Sequence, residues 1–208
     1  DGSGALQTGW VTWNADGTRT YFDPSNGGAA LSGWQKIGGK TYYFDPERSD
    51  RGARWETVVD GRRYYFGSDC SMVTGLVTWK ADGRCSLFGS DGAAVSGWQT
   101  VDGKKYYFDP GDGRCLIWEK VVGGKRYYFD GSGALQTGWV TWKADGRKSY
   151  FDPSDGGAAV IGVKTIDGKM YEFGEDGRLL EGYTYTIMGQ PTVSVSRMIE
   201  TFNVIAGS

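Results

Sequence analysis

The stretch GWQTVDGKKYYFDPGDG, residues 97–113, decides the fold because its pattern recurs along most of the chain. A tryptophan is followed by an Asp-Gly pair and then by a Tyr-Tyr-Phe run. Variants stand at three further places, GWQKIGGKTYYFDP (33–46), RWETVVDGRRYYFGSD (54–69) and WEKVVGGKRYYFDGSG (118–133). A constellation repeated in this way is the signature of a repeat architecture.

The composition favours short strands joined by tight turns. The chain has 208 residues, of which 35 are Gly and 15% are aromatic, with no His and a net charge of −2. Gly is disfavoured inside helices, and aromatic residues favour strands. A charge this close to zero, with no basic run, gives a nucleic-acid partner no electrostatic basis. No apolar stretch approaches the roughly 20 residues of a membrane-spanning helix, so we predict no transmembrane segment.

The two ends of the sequence differ from its repetitive middle. The opening DGSGALQTGWVTW recurs letter for letter at 130–142, so we interpret residues 1–8 as the tail of a preceding, truncated repeat. We assign eight repeats to residues 9–182, and a linker or the start of a following domain to 183–208. On this interpretation the sequence is a fragment of a longer protein, and targeting signals would lie outside it.

The repeats follow a triplet order. Each begins at an anchor position, occupied in turn by Trp10, Trp34, Trp55, Leu76, Trp98, Trp118, Trp139 and Val163. Counting from each anchor to the closing Phe gives roughly 12, 10 and 11 residues in rotation, which defines long, short and intermediate repeats. Three repeats make a unit of about 65 residues.

Each repeat is predicted to form a β-hairpin. A pair that tolerates the positive φ angles of a two-residue type I′ turn lies midway in every repeat: Asp16-Gly17, Gly38-Gly39, Asp60-Gly61, Asp82-Gly83, Asp102-Gly103, Gly123-Gly124, Asp145-Gly146 and Asp167-Gly168. This register places Trp13 opposite Thr20 in a long repeat and Gln35 opposite Tyr42 in a short one. The intermediate repeats would then need a bulge or a three-residue turn to keep their tryptophan on the same face.

Strand alternation separates an inner face from an outer face. In the repeat that starts at Trp34, the inner face carries Ile37, Tyr42 and the closing Phe44. The outer face carries Trp34, Lys36, Thr41 and Tyr43. A lone hairpin is marginal in water, so the hairpins must stack. We therefore predict an all-β solenoid of stacked β-hairpins with a short non-repeat segment at its C-terminus.

The pattern of GW, DGK, YYFD and a second GW resembles the cell-wall-binding repeats of Gram-positive surface proteins, which include choline-binding and glucan-binding repeats. SGWQTVDGKKYYFD (96–109) is most similar to the C-terminal repetitive oligopeptides of large clostridial toxins. The resemblance spans roughly residues 9–182. It implies a screw of about three hairpins per turn and an extracellular protein, secreted or cell-wall-associated. Its ligand would be a cell-wall glycan, a teichoic-acid-like polymer or another carbohydrate, and we expect a monomer.

One position departs from the choline-binding form of these repeats. Those modules have a Trp before the Tyr pair, which helps to cage a quaternary ammonium by cation–π attraction. Here the position is occupied by Thr41, Arg63, Lys105 and Arg126. A cation at this point would repel choline, so we favour a sugar, whose apolar face stacks on an aromatic ring while polar neighbours bind its hydroxyls.

The candidate carbohydrate-binding residues are the outward aromatics and one nearby lysine. They are Trp10, Tyr21, Trp34, Tyr43, Trp55, Tyr65, Trp98, Lys105, Tyr107, Trp118, Tyr128, Trp139 and Tyr150. Any one GW tryptophan is explained equally well by packing between hairpins, and we assign Trp13, Trp79 and Trp142 to packing. Repeats interrupted by Leu76, Leu87, Val163 or Glu172 are expected to bind weakly or not at all.

We predict no catalytic, metal or cofactor site. An active site needs an asymmetric group of residues, whereas the Asp residues recur in turns that their own turn chemistry explains. The three cysteines, Cys70, Cys85 and Cys115, have no metal-ligand spacing. They allow either one disulfide with a remaining thiol or three unpaired thiols, and we favour the unpaired form.

The last segment changes character after Gly182. A short helix over residues 197–202, capped by Ser194 or Ser196, is predicted from the apolar spacing. Its pattern resembles the lead-in to glucosaminidase-type wall hydrolase domains of actinobacterial surface proteins; the alternative is a terminal tail. The sequence thus favours a module that targets a larger protein, such as a hydrolase, to the bacterial wall. Attachment to host glycans and a passive spacer remain alternatives.

Overall fold

The computed structural model describes residues 6–180, which form short β-strands and three 3₁₀ turns. The strands are β1 (Gly9–Thr12), β2 (Arg19–Asp23), β3 (Ala29–Ala30), β4 (Gly33–Ile37), β5 (Lys40–Asp45), β6 (Arg51–Gly52), β7 (Trp55–Val59), β8 (Arg62–Phe66), β9 (Gly75–Thr78), β10 (Cys85–Phe88), β11 (Gly97–Val101), β12 (Lys104–Phe108), β13 (Trp118–Val122), β14 (Lys125–Phe129), β15 (Leu135–Gln136), β16 (Gly138–Thr141), β17 (Lys148–Asp152), β18 (Ala158–Ala159), β19 (Gly162–Ile166) and β20 (Lys169–Phe173). The 3₁₀ turns are Pro24–Asn26, Pro46–Arg48 and Pro153–Asp155.

These strands pair into antiparallel hairpins 1 to 8, formed by β1/β2, β4/β5, β7/β8, β9/β10, β11/β12, β13/β14, β16/β17 and β19/β20. The two-residue strands β3, β6, β15 and β18 add a third strand to hairpins 1, 2, 6 and 7. The chain forms two compact units: the first takes residues up to Val101 with Tyr107–Cys115, and the second takes Asp102–Tyr106 with the chain from Leu116. The predicted all-β fold of stacked hairpins is confirmed.

The predicted helix at 197–202 and the segment 183–208 lie outside the described residues. Within residues 6–180, no helix is long and apolar enough to cross a membrane.

Two-residue turns close the hairpins of the short and intermediate repeats. Asp60 and Gly61, for example, have φ angles of 49° and 73°. Positive φ at both central residues is the type I′ geometry, whose twist matches that of the flanking strands. As predicted, Gln35 lies opposite Tyr42.

The long repeats, hairpins 1, 4 and 7, turn differently from the prediction. In hairpin 1 the Trp13 N–H donates to the Thr18 carbonyl at 2.8 Å, so four residues connect the strands instead of two. The Oδ1 atom of Asp16 stabilises this longer turn by accepting the Thr18 N–H at 2.9 Å. The register is consequently shifted by two residues, and Val11 lies opposite Thr20. The predicted pairing of Trp13 with Thr20 is therefore wrong as a backbone register.

The intermediate repeats, hairpins 3 and 6, contain neither the bulge nor the three-residue turn that would keep their tryptophan on the outer face. Their ladders are continuous, and the extra residue moves the tryptophan by one place. Trp55 lies opposite the closing Phe, where Gly33 lies in hairpin 2, and Glu56 takes the place of Trp34. Trp55 consequently has a φ of 62°, a left-handed conformation that bulky residues rarely adopt. Trp118 and Glu119 repeat this arrangement in hairpin 6, with the same φ of 62° at Trp118.

The closing phenylalanines form the inner core, as predicted. In hairpins 2 to 8 none is more than 2% exposed: Phe44, Phe66, Phe88, Phe108, Phe129, Phe151 and Phe173. Phe22 in hairpin 1 is only half-buried. Inner-face tyrosines such as Tyr42 and Tyr64 are also buried, at 5% and 7% exposure. The alternation inferred from sequence thus separates the faces correctly.

The segment that follows one hairpin donates a backbone hydrogen bond to the hairpin before that one, and the bond attaches these two hairpins to each other. After hairpin 3, the Met72 N–H donates to the Thr41 carbonyl of hairpin 2 at 2.8 Å. After hairpin 8, the Leu179 N–H donates to the Lys148 carbonyl of hairpin 7 at 2.7 Å. These bonds pair backbone groups that a lone hairpin would leave to water.

A longer contact, which we call the Arg–Glu clamp, links elements across three consecutive hairpins. Arg178, after hairpin 8, makes two bonds of 2.9 Å to the Glu119 carboxylate of hairpin 6. Its guanidinium carbon lies 3.9 Å from the ring centroid of Trp142 in hairpin 7. In the first unit Arg114 likewise bonds Glu56 at 2.9 Å and lies 4.0 Å from the Trp79 ring. The clamp therefore recurs with the triplet order of the repeats.

Aspartates shape the connecting segments. Asp23 accepts the Ser25 N–H at 2.8 Å and Asp152 accepts the Ser154 N–H at 2.9 Å, each capping a 3₁₀ turn. The predicted turn role of these Asp residues is confirmed. Among residues 6–180, no group of three or more Cys, Asp or Glu is placed to hold a metal ion.

We expect Arg178→Ala to destabilise the protein by about 2 kcal/mol, because it leaves the largely buried carboxylate of Glu119 without its bidentate partner. The Arg178 side chain is only 14% exposed. Arg147→Ala is the matched control, since that side chain is 48% exposed and water screens its ion pairs, so we expect a much smaller loss of stability. Urea unfolding monitored by tryptophan fluorescence measures both variants. Equal effects of the two substitutions would contradict the clamp.

Stability should decline in acid. Hydrogen bonds from the Thr18 hydroxyl and N–H hold the pKa of Asp16 at about 2, and the pKa of Asp23 and Asp145 is lowered by similar bonds from Ser25 and Arg147. Unfolded carboxyls titrate near pH 4, so their stabilisation is complete above that pH and is lost as the pH falls toward about 2.

Thermal unfolding from pH 6 to pH 2 tests this expectation. Asp16→Asn keeps an oxygen for the turn but removes the titration, so its melting temperature should depend less on pH below about 4. A wild-type melting temperature that stays constant down to pH 2 would show that the caps contribute nothing.

Candidate functional site

Hairpins are joined by aromatic clusters at the outer face, best seen around Trp34. The ring centroid of Trp34 lies 5.1 Å from that of Tyr43 on its own hairpin. It lies 4.8 Å from Tyr64 and 6.0 Å from Phe66 on hairpin 3. The ring is nevertheless 38% exposed. Trp34 therefore fills the gap between two hairpins and also presents a surface to solvent; we call this group the Trp34 cluster.

The same arrangement recurs in the second unit around Trp139. Its ring centroid lies 5.2 Å from Tyr150 on its own hairpin, and 4.9 Å from Tyr171 and 5.9 Å from Phe173 on hairpin 8. Trp139 is also 38% exposed. This Trp139 cluster has almost the same geometry as the Trp34 cluster, although one belongs to a long repeat and the other to a short one.

Trp10 has similar neighbours but is covered. Its ring lies 5.1 Å from Tyr21 and 4.8 Å from Tyr42. The guanidinium carbon of Arg19 lies 4.0 Å from its centroid, so a cation of the chain already occupies the ring face. In the described part of the chain, no arginine or lysine lies over Trp34 or Trp139. Trp98 is half-buried and lies 5.2 Å from Tyr107.

Trp55 and Trp118 occupy a different place from the other anchors. They stand at the positive-φ position and are 51% and 55% exposed, more than any other tryptophan of residues 6–180. Arg54 lies 4.9 Å over the ring of Trp55, whereas the ring edge of Trp118 lies against Gly131. Neither forms a cluster like that of Trp34, because Glu56 and Glu119 take the place that Trp34 has in hairpin 2.

Tyr65 and Tyr128 belong to packing. The ring of Tyr65 lies 5.0 Å from Trp79 and 6.0 Å from Phe88, both on hairpin 4. Tyr128 lies 5.2 Å from Trp142 and 5.8 Å from Phe151 on hairpin 7. The neighbouring hairpin thus covers both rings.

The three tryptophans assigned to packing make internal hydrogen bonds, although Trp13 remains 36% exposed. The indole N–H of Trp142 donates to the Ser149 hydroxyl at 2.9 Å, while Arg178 covers the ring. The same bond, also 2.9 Å long, joins Trp13 to Thr20 and Trp79 to Ser86. Since Ser149 is fully buried, this bond pairs a polar group that water cannot reach.

The cations before the Tyr pair are partly engaged by the protein. Arg63 donates to the carbonyl of Gly111 at 3.2 Å and to that of Asp112. Arg126 lies 3.7 Å from the Glu119 carboxylate. Lys105 lines a shallow groove of about 410 Å³ in the second unit, and Lys104, Asp130, Gln136 and Thr137 also line this groove. Such a polar groove offers hydrogen-bonding groups to a hydroxylated ligand.

Three carboxylates act on Tyr43 of the Trp34 cluster, while the guanidinium of Arg62 lies 5.9 Å over the ring of Tyr64. Burial raises the pKa of Tyr43, and the negative charges of Asp45, Asp60 and Glu47 raise it further. At this hairpin the residue before the Tyr pair is Thr41, which carries no charge. The electrostatic surroundings of Trp34 therefore suit hydroxyl donors or a cation better than an anion.

The structure groups some of the predicted residues and separates others. Trp34 with Tyr43 and Trp139 with Tyr150 form half-exposed clusters. Sequence reasoning missed Tyr64 and Tyr171, which belong to the inner-face set yet complete the clusters from the next hairpin. It also missed Arg19. The two tyrosines could have been predicted from the strict repetition of the pattern, because each hairpin must present one edge to the hairpin before it.

Comparison with known protein families identifies the same kind of repeat in this chain. Residues 118–161 match the model of the choline-binding repeat, and residues 32–47 and 96–113 match that of a cell wall binding repeat. The chain therefore contains cell-wall-binding-type repeats, which confirms the resemblance seen in sequence. A search of curated proteins found no match.

Solved structures of similar fold include three proteins of Streptococcus pneumoniae, among them the choline binding protein CbpF. CbpJ of strain TIGR4 has a TM-score of 0.68 at 24% identity, covering 84% of this chain and 58% of that one. CbpF, solved with a peptidoglycan analogue, has a TM-score of 0.67 at 26% identity, with coverages of 84% and 58%. The modular autolysin LytC, solved with a synthetic peptidoglycan ligand, has a TM-score of 0.55 at 28% identity, covering 84% and 39%. The chain thus spans less than two thirds of each of these proteins.

Proposed function

We propose that this chain is a non-catalytic module that binds a bacterial cell-wall polymer and holds a larger secreted protein at the cell surface. The observation that carries the proposal is the half-exposed Trp34 cluster, which the Trp139 cluster reproduces in the other unit. Each offers an open tryptophan face beside tyrosine hydroxyls. A sugar stacks its apolar face on such a ring while its hydroxyls bind polar neighbours.

The position of these clusters also supports binding over a spacer role. Rings that serve only packing, such as Tyr65, are covered by the next hairpin or by an arginine. Trp34 and Trp139 pack on one side and stay open on the other. A spacer would gain nothing from leaving large apolar rings exposed, whereas two weak sites on one chain increase the affinity for a repetitive polymer.

Binding of the 208-residue chain to an array of bacterial wall glycans, host glycans and choline conjugates is the first test. We expect signal on wall glycans. Signal on host glycans alone would replace wall targeting with host attachment, as in an adhesin or a toxin-like repeat domain. Silence on every class would favour the spacer.

Leucine variants connect the array result to the clusters. Leu76 occupies the anchor position of hairpin 4, so Trp34→Leu and Trp139→Leu introduce a residue that these repeats already tolerate. We expect each to weaken binding to wall glycan by about tenfold, the loss of one aromatic contact. Trp10→Leu is the matched control, because Arg19 already covers that ring. A loss as large in the control as in the two variants would assign the effect to packing.

A quaternary ammonium carried by the polymer is the second candidate ligand. The match of residues 118–161 to the choline-binding repeat favours it, as do the carboxylates near Trp34. Tryptophan faces attract such cations. If the amine is the bound group, free choline should displace the chain from walls while the sugar backbone alone should not. Displacement by the sugar and not by choline would mean that the carbohydrate is the bound group.

We also propose that the protein to which this module belongs is a wall hydrolase. The similarity of the repeats to those of the autolysin LytC supports it, as does the resemblance of the final segment to the lead-in of glucosaminidase-type domains. Expression of the gene with its flanking sequence, followed by zymography on purified walls, tests the idea. If that longer protein did not lyse the walls, the anchored domain would not be a wall hydrolase.

A further inference from the structure

Two of the three cysteines meet inside the first unit. Cys85 lies at the start of β10 in hairpin 4, and Cys115 lies in the segment after hairpin 5; both are buried. The Cys115 N–H donates to the Cys85 carbonyl at 2.6 Å, and the Cys85 N–H donates to the Cys115 sulfur at 2.8 Å. The two side chains thus occupy adjoining space on one side of a backbone bridge.

This bridge is one of the regular stacking bonds, and its other copies carry no cysteine. The equivalent pairs are Thr41 with Met72, Arg63 with Ala94, and Lys148 with Leu179. A cysteine at one position of such a pair would need no explanation, because cysteine is a small residue that is often buried. Cysteine at both members of a single pair, in a chain with only three, is the pattern of a cross-link.

We propose that Cys85 and Cys115 form an intramolecular disulfide in the secreted protein, leaving Cys70 as a thiol. Backbone groups joined by a hydrogen bond of this length hold their Cα atoms within the range that a disulfide spans. Cys70 lies elsewhere, with its side chain against Gly52. The proposal reverses the expectation of three unpaired thiols.

The oxidation is a thiol–disulfide exchange with a small-molecule or protein disulfide, the oxidant class of extracytoplasmic compartments. The thiolate of one of the two cysteines attacks the donor disulfide and releases one thiolate. The sulfur of the other cysteine, after losing its proton to solvent, then displaces the second donor thiolate from the mixed disulfide. Two protein thiols become one disulfide and the donor is reduced to two thiols. Because both sulfurs are buried after stacking, exchange takes place before the segment docks on hairpin 4.

The hydrogen bond between the two thiols lowers the pKa of Cys115 and raises that of Cys85. This coupling agrees with the direct contact of the two side chains in the folded chain.

The bond would strengthen a hairpin whose outer face has no aromatic pair at the anchor position. Hairpin 4 has Leu76 opposite Leu87 where hairpin 2 has Trp34 opposite Tyr43. It therefore lacks the aromatic pair that other hairpins use to hold their neighbour. A cross-link from hairpin 4 to residue 115 holds the following segment in its place by closing a loop of the chain.

Peptide mapping of the protein refolded with reduced and oxidised glutathione tests the assignment. Alkylation under denaturing conditions is followed by tryptic digestion, which separates the cysteines into peptides 64–80, 85–104 and 115–120. We expect 85–104 linked to 115–120, released by reductant, with 64–80 alkylated. Alkylation of all three peptides, or a link that includes 64–80, would overturn the proposal.

Thermal unfolding with and without reductant supplies a second measurement. Reductant should lower the melting temperature of the wild type and of Cys70→Ser by several degrees, because the cross-link restricts the unfolded chain. Cys115→Ser should be insensitive to reductant. Equal sensitivity in Cys115→Ser would mean that the cross-link is elsewhere or absent.

Discussion

The fold depends on the contact that one outer-face tryptophan makes with two hairpins at once. A two-stranded hairpin cannot bury its own apolar surface, and the inner core of phenylalanines is only one ring deep. Trp34 extends that core outward by lying against Tyr43 of its own strand pair and Tyr64 of the next. Where a hairpin presents such a ring, as Trp139 does in the second unit, stability comes from contact with the neighbouring hairpin rather than from a central core.

The backbone conformation before the tryptophan decides whether that contact can form. In short and long hairpins a Gly at positive φ precedes it, as Gly33 does at 67°. In the intermediate hairpins Trp55 itself takes this position, which turns its ring toward solvent and puts Glu56 at the packing position. The carboxylate cannot fill an apolar gap, but it binds Arg114, whose guanidinium covers the ring of Trp79. An ion pair and a cation–π contact thus replace, in hairpins 3 and 6, the ring that Trp34 supplies in hairpin 2.

How far sequence could predict the structure depended on whether the signal was local. The register at Gln35 and the burial of Phe44 follow from a turn pair and strand alternation, both readable within ten or so residues. The turn at Asp16 could not be predicted in this way, because the same Asp-Gly pair here lies in a four-residue loop that the bond from Trp13 to Thr18 closes. Glu56 was missed because the repeats were aligned from their tryptophan; counting back from the closing Phe would have found it. The ion pair between Arg178 and Glu119 could not be predicted, because nothing in the sequence near either residue indicates the other.

Covering and binding compete for the same aromatic surfaces, and this competition sets where a ligand can bind. The guanidinium that stabilises Trp142 removes its face from solvent, as Arg19 does for Trp10. The repeated pattern therefore does not make each repeat a site. What distinguishes Trp34 and Trp139 from Trp10 is that, among residues 6–180, no arginine lies over the indole, so that Tyr64 and Tyr171 of the next hairpins hold the ring without hiding it. A rigid ring loses little conformational entropy when a sugar or an ammonium group binds, which gives even a shallow site useful affinity.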